Sequence, residues 1–472
     1  MLDFIKSKKL YICFFFAVLV ISAFFPPSAD DLGWATSQGA ALLKKGFENY
    51  NGRYLGNILA VSLTRIGLLL APLKAFVLTA ILFYTQKLSA AKSDFSLLLC
   101  AVLLLIPSPL FVQGFVWTAG FTNYTVSALL IMVSADLIIN RKSCAINAFF
   151  LMILGIACQL FMETYTIFTL VAGATAIIYS AVKKKGTAKS VCFFIGAVAG
   201  TAIMFSNGIY SKIANGDNVY QQIPVNEGGI FNKLFKALAS LFSVVSYNAV
   251  IACIPAILVV TVLSVMLIKK SAKLKKAFWA AFSLMIVSVL AFPAVYLITR
   301  RLETAYYTLG AFLLFFFATA AVAVAGITEA KTKTKTAVLF AMLLVLCVPL
   351  SIVYPVGPRC FVGAYILILI AICELLKEFE FAGNKKTVKF ISAAFALVFI
   401  FDLICYSTVF FSNKNKIESI RSQAEQSKQV VIERTKLSFF VYAIDSETSS
   451  AKYMQRFCEY YDLPEDIQIT YK

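Results

Sequence analysis

The chain has 472 residues, of which 60% are apolar or aromatic and only 14% charged, with 43 Lys and Arg against 24 Asp and Glu and a mean hydropathy of +0.83. Globular domains average about 45–50% apolar and roughly 25% charged residues, so a water-soluble fold would expose very large apolar patches and a membrane protein is expected instead. Histidine is absent, which excludes Ser-His-Asp triads, His proton shuttles and His-bearing zinc sites.

A bilayer core of about 30 Å needs roughly 20 apolar residues in helix. Thirteen such runs follow one another, at about 10–25, 67–84, 95–112, 121–139, 145–162, 164–181, 191–206, 247–268, 277–298, 304–326, 337–354, 360–376 and 389–411. The expected fold is an all-α polytopic membrane protein with a transmembrane domain over 1–411. Two large outer loops, 26–66 and 207–246, interrupt it, and a small α+β tail over 412–472 packs back on the membrane part. Lys6, Lys8 and Lys9 precede the first run, Phe-Phe-Pro-Pro follows it, and no clear A-x-A site ends it, so it reads as a signal anchor. Most of the eleven Cys lie in or beside apolar runs and read as small packing residues.

The first outer loop opens on Asp30-Asp31. Two adjacent carboxylates at the mouth of a membrane helix either cap the helix expected over 32–45 or serve a site. In a site they act as a general base, or as ligands for an oxygen-loving divalent cation, Mg²⁺ or Mn²⁺. Beyond Asn51-Gly52-Arg53-Tyr54, polar Arg53, Asn57 and Thr64 recur at helical spacing against Leu55, Ile58, Leu59 and Leu63. That pattern predicts an amphipathic helix in the interface, with Arg53 or Arg65 near a lipid phosphate.

Further along, Trp117 to Tyr124 joins the third and fourth runs. Trp117 and Tyr124 there read as interface belt residues, or, with Asn123, as a surface that stacks on and hydrogen-bonds a sugar or acceptor. Glu163 interrupts 145–181, a stretch without Lys or Arg, and predicts a tight outer hairpin; it either caps the next helix or acts as a second acid. Arg300-Arg301-Leu302-Glu303 and Pro358-Arg359 place three guanidiniums in short outer loops, where basic residues are disfavoured. Phosphate binding by Arg300, Arg301 and Arg359 would compensate, whereas a structural Arg301 to Glu303 pair is the alternative. The loop 207–246, rich in Gly, reads as a polar flap or a link between halves of the bundle. In the tail, strands are expected at Gln429 to Glu433, Ser438 to Tyr442 and Ile467 to Tyr471.

Asp30-Asp31 in the first outer loop, followed by amphipathic segments and a many-span bundle, resembles the GT-C superfamily of membrane glycosyltransferases. Asn51-Gly52-Arg53-Tyr54, Trp117 to Tyr124 and Pro358 to Gly363 look like segments of bacterial polytopic families akin to O-antigen glucosyltransferases. The resemblance covers about 1–411 and implies an acidic base or metal site at Asp30 or Asp31. It also implies a polyprenyl-phosphate sugar donor, a glycan or lipid-linked acceptor, and work in cell-envelope glycan assembly. Histidine, frequent around such sites, has no counterpart here. Chemically, a phosphate leaving group needs no general acid, so one carboxylate and phosphate-holding cations suffice. Glu163 would orient acceptor or metal, and Glu303 would lie near the acceptor. A transporter or flippase for a lipid-linked glycan is the alternative from another class, for which the mid-span Asp402 speaks; a glycan polymerase or ligase is a second.

Position resolves the charge. The seven loops expected on the cytoplasmic side hold 23 of the 43 basic residues and five of the 24 acids, the signature of orientation in a plasma membrane. The N-terminus is expected in the cytoplasm and the tail outside. Nucleic acid is therefore not an implied partner, and membrane lipid is.

Overall fold

The structure, a computed structural model, describes residues 2–91, 94–140, 144–184, 186–217, 229–269, 274–379 and 385–472. Lys92, Arg141, Lys142, Lys185, Lys270 and Lys273 of the basic loops, with Pro224, Glu227 and Gly228 of the second large loop, lie outside these residues. After α1 (Leu2–Ser22) the first loop folds into α2 (Asp31–Ala35), α3 (Ser37–Lys44) and α4 (Tyr54–Leu63). The bundle continues through α5 (Leu70–Ser89), α6 (Asp94–Leu105), α7 (Pro109–Phe111), α8 (Thr118–Gly120), α9 (Ser127–Asn140), α10 (Ala145–Gln159), α11 (Glu163–Val182) and α12 (Ala188–Phe205). Two short outer helices, α13 (Gly208–Ala214) and α14 (Ile230–Ser240), precede α15 (Ser246–Ile268), α16 (Lys275–Thr299), α17 (Leu302–Ala325), α18 (Ala330–Cys347) and α19 (Val362–Leu376). Last come α20 (Lys385–Ala424), α21 (Ala451–Tyr461) and a two-stranded parallel sheet of β1 (Gln429–Ile432) and β2 (Gln468–Tyr471).

Among the described residues ten helical stretches are long and apolar enough to cross a membrane, as expected of a multi-pass all-α protein. The run 95–112 does not form a straight span. Pro107 and Pro109 withdraw two N–H groups and clash with the preceding turn, so α6 ends at Leu105. Ser108 caps the new start by accepting the Phe111 N–H at 3.2 Å. The two pieces meet at 73° and supply an eleventh crossing only as a bent pair. On either side of Trp117, residues 112–116 and 121–126 wind as π-helical turns, with Trp117 itself extended. At α10 the apolar helix is shorter than predicted, 15 residues.

One end of the bundle is tied by lysines. Lys87 of α5 pairs with Asp136 of α9 at 2.6 Å, and Lys335 of α18 and Lys377 both pair with Glu374 of α19. Lys189 donates to the last carbonyls of α9, Leu137 and Ile138, at 2.9 Å, where a helix C-terminus attracts positive charge. The opposite ends of these helices carry Lys74, Trp117 and Arg359. The α10–α11 break falls at residues 160–162, and the Leu160 carbonyl accepts the N–H groups of Leu55 at 3.0 Å and Gly56 at 3.3 Å. The hairpin predicted at Glu163 is thus joined to the first loop.

The tail does not begin where the membrane run ends. α20 is continuous for 40 residues, about 60 Å at 1.5 Å per residue, and carries the chain well past 411. Residues 438–440 form a 3₁₀ turn instead of the expected strand, because Leu437 takes a left-handed conformation (φ 53°). Ile420, Val430, Ile432, Phe457 and Ile469 build the tail's core, and Leu32 of α2 completes it. Within the tail, Lys416 is buried between Asp445 (2.8 Å) and Glu447 (3.0 Å). Removing the ammonium strands two buried carboxylates, so Lys416→Met is expected to cost about 3–5 kcal/mol. The measurement is thermal unfolding of the detergent-solubilised chain, and an unchanged midpoint would contradict it.

Candidate active site

Asp30 and Asp31 are brought into place by a turn after Pro26-Pro27 in which Ala29 has φ 53°. Asp30 occupies the cap position of α2 but makes no side-chain cap bond. Its Oδ1 instead accepts the Trp117 indole N–H at 2.9 Å, and its Oδ2 the Trp34 indole N–H at 3.3 Å. Asp31 is 1% exposed and accepts two backbone N–H groups, Ala119 on Oδ1 at 2.9 Å and Thr118 on Oδ2 at 3.0 Å. The break at Trp117 starts a new helix, whose first N–H groups have no partner inside it; the Asp31 carboxylate takes them. Lys74 is also buried, donates to the Val116 carbonyl and places its charge beside Asp31. The two adjacent carboxyls therefore differ in kind: Asp31 holds the broken helix, and Asp30 remains partly open to solvent.

Burial raises both acids above the ordinary carboxylate range. At Asp31 the Asp30 charge adds to burial, against Lys74 and the two backbone N–H groups. At Asp30 burial is opposed by the Arg456 guanidinium and then by the two indoles. A raised acid binds its proton more tightly in the folded chain than in the unfolded one. Its contribution to stability is present below the unfolded value and lost as pH rises through the folded one, about 7 for Asp31.

Over the ring of Trp117 lies Arg359. Its guanidinium stands 5.4 Å from the Trp117 ring centroid and 5.8 Å from that of Tyr442, and these two rings are 4.9 Å apart. Nη1 donates to Gln113 Oε1 at 3.1 Å, and the Tyr124 hydroxyl bonds the same side chain. Gly357 keeps this approach open, since a Cβ there would meet Nη1 at 3.0 Å and Gln113 Oε1 at 3.1 Å. Among the described residues Arg359 has no carboxylate within ion-pair distance. Trp117 is 8% exposed; it is no loose belt residue, since its N–H holds the Asp30 carboxylate and its ring lies beside the Arg359 guanidinium.

Arg53 and Glu163, expected to act separately on phosphate and acceptor, are paired with each other. Arg53 Nη2 lies 2.7 Å from Glu163 Oε2, and Nε donates to both carboxylate oxygens at 3.0 and 3.1 Å. Tyr210 of α13 donates to Glu163 at 2.8 Å and accepts the Gly52 N–H at 3.3 Å. Asn51 accepts the Arg53 N–H and the Asn57 amide, which starts α4 beside this pair. Tyr124 feels the charge of both Arg53 and Arg359, so the two clusters adjoin.

The remaining predicted residues fall elsewhere or do other work. Asn123 spends its amide on the Ala119 carbonyl at 2.9 Å and presses its Oδ1 on Gly56, where a Cβ would sit 2.2 Å away. Arg300, Arg301 and Glu303 are exposed in the turn between α16 and α17, and no described bond or ion pair joins Arg301 to Glu303 or any of the three to the cluster. Arg65 bonds the carbonyls of Trp34 and Thr36 at 2.6 and 2.8 Å and so sets the α2–α3 corner. A divalent cation fits Asp30 and Asp31 poorly: all four oxygens accept N–H groups, Lys74 and Arg456 already supply positive charge, and no third acid joins them among the described residues.

Gln113, Tyr210, Tyr442 and Arg456 carried no signal in the sequence. Lys74 did, as a charged residue near the end of an apolar run. Compared with protein-family models, characterised proteins and solved structures, the chain matches none.

Proposed function

We propose that the chain is a membrane glycosyltransferase that moves a sugar from a polyprenyl-phosphate donor to an acceptor hydroxyl at the exoplasmic face of a cell membrane. The observation that carries this reading is Arg359, a guanidinium beside the Trp117 and Tyr442 rings with no carboxylate paired to it among the described residues, while the N–H of the same Trp117 indole holds the partly buried Asp30 carboxylate. A cation so placed suits a phosphate, and an acid beside it suits a hydroxyl. In the reaction the acceptor oxygen bonds the anomeric carbon while Asp30 takes its proton. The bond from that carbon to the phosphate oxygen breaks, and the phosphate leaves with the electron pair, facing Arg359. Asp31 and Lys74 position the loop, and the Arg53–Glu163–Tyr210 group ties it to α11 and α13. The lysine-tied end faces the cytoplasm.

The test is turnover by the full chain in nanodiscs, supplied with a panel of polyprenyl-phosphate sugars and read as release of polyprenyl phosphate. No turnover with any donor would sink the reading. The pH profile supplies a second check, since only the deprotonated base works and the rate rises with pH through the raised Asp30 value. Arg456 lowers that value, so Arg456→Met is expected to move the acid limb to higher pH; a limb that stays in place would remove Asp30 as the base. One observation favours transport instead. Asp402 of α20 is fully buried with neither oxygen hydrogen-bonded, and the Tyr406 hydroxyl one turn on is in the same state. If that reading holds, Asp402→Asn abolishes uptake into proteoliposomes.

A further inference from the structure

Between the first loop and the C-terminal helix runs an open groove of about 550 Å³, lined by Thr36, Ser37, Ala40, Thr64, Glu459 and Tyr460 among others. It starts at the C-terminal end of α2, the helix whose first residues are the carboxylates. Five residues of helix separate the two, about 7 Å. The groove's far wall is α21, which turns Tyr453, Arg456 and Tyr460 toward α2 from positions three and four apart, one face of a helix. Arg456 closes on Gly33, where a Cβ would meet its Nε at 2.8 Å, and donates to Gln38. Glu459 accepts the Ser37 N–H at 2.6 Å. Arg456, which closes on Gly33 and Gln38, thus stands between the groove and the start of α2, where the proposed base lies.

Its chemistry is that of a polyhydroxylated ligand. Tyr460 offers a ring with an apolar face and a polar tip, Glu459 accepts hydroxyl protons, and Thr36 and Thr64, whose own protons go to the carbonyls of Gly33 and Ala60, present acceptor lone pairs. Arg65 and Glu459 line the groove with opposite charges, so a ligand without net charge suits it, and a purely apolar one would strand the rim. We propose that this groove holds the acceptor as a glycan chain, and that the C-terminal segment thereby selects what is glycosylated. The proposal rests on the glycosyltransferase reading for the reaction but not for the binding.

The probe is an array of bacterial envelope oligosaccharides, bound by the full chain in nanodiscs. Ala40→Trp fills the groove from an exposed position of α3, and Tyr460→Ala removes the ring. Both are expected to weaken glycan binding by about tenfold or more, and to raise the acceptor KM while leaving the donor KM unchanged. Tyr460→Phe keeps the ring and is expected to bind like the unaltered chain, which separates loss of the platform from loss of fold. Asp30→Asn is expected to bind glycan without transferring sugar. Binding by Ala40→Trp at the unaltered level, or no glycan retained by the unaltered chain, overturns the groove. Groove-dependent binding without transfer from any donor would instead uphold the groove and reject the glycosyltransferase reading.

Discussion

Replacing Asp30 with Asn is expected to lower sugar transfer by about 10²–10⁴-fold, the range a positioned general base contributes, with little change in the amount of folded protein. The amide keeps an oxygen for the Trp117 indole, and Asp30 is only partly buried, so the local fold has little to lose. Asp31→Asn is expected to behave differently. The buried Asp31 carboxylate accepts two backbone N–H groups beside Lys74, and an amide would turn a donor on one of them. Leaving such a buried group unsatisfied costs about 1–3 kcal/mol, so loss of stability should accompany any loss of rate. The measurement is single-turnover transfer together with thermal unfolding for both variants. Full activity in Asp30→Asn, or a rate loss in Asp31→Asn without destabilisation, would reverse the division of roles.

The second large effect is expected at Arg359. Arg359→Ala removes the cation facing the leaving phosphate and is expected to lower kcat/KM by about 10²–10³-fold, the cost of losing one donor to a transition-state anion. Arg359→Lys is expected to recover only part of this. Lysine keeps the charge but loses the planar group that lies beside Trp117 and Tyr442 while Nη1 stays on Gln113. Binding of polyprenyl phosphate without sugar isolates the anion contribution; equal binding by the Arg359→Ala variant and the unaltered chain would free Arg359 of that role.

Much of the architecture was legible because crossing a membrane is a demand on each segment separately. The apolar runs and the lack of Lys and Arg in 145–181 predicted thirteen spans and the Glu163 hairpin; among the described residues ten helical stretches, or eleven with the bent pair, are long and apolar enough to cross, and α11 starts at Glu163. The break at 106–108 was written in Pro107 and Pro109, yet two prolines in a hydrophobic run do not reveal a 73° bend or the π-helical turns beyond it. Trp117 was noticed as a belt residue or a sugar platform, whereas an indole that bonds Asp30 and lies beside Arg359 depends on three segments meeting.

The tail shows the same division. Its helix and its first and last strands followed from local pattern, while its contribution to the site did not, because Tyr442 and Arg456 gain meaning only from α2 and Trp117 beside them. Arg53 and Glu163, 110 residues apart, each looked like a free functional charge until the fold made them partners. By itself the sequence determined the solvent, most of the helices and the gathering of basic residues in alternate loops, since hydrophobic burial and loop charge act segment by segment. Only the tertiary structure decided which polar groups meet, since hydrogen bonds and ion pairs act over a few ångströms of space regardless of separation along the chain. That proximity distinguishes Asp30 from Asp31 and sets the unpaired Arg359 beside the Trp117 indole that holds Asp30.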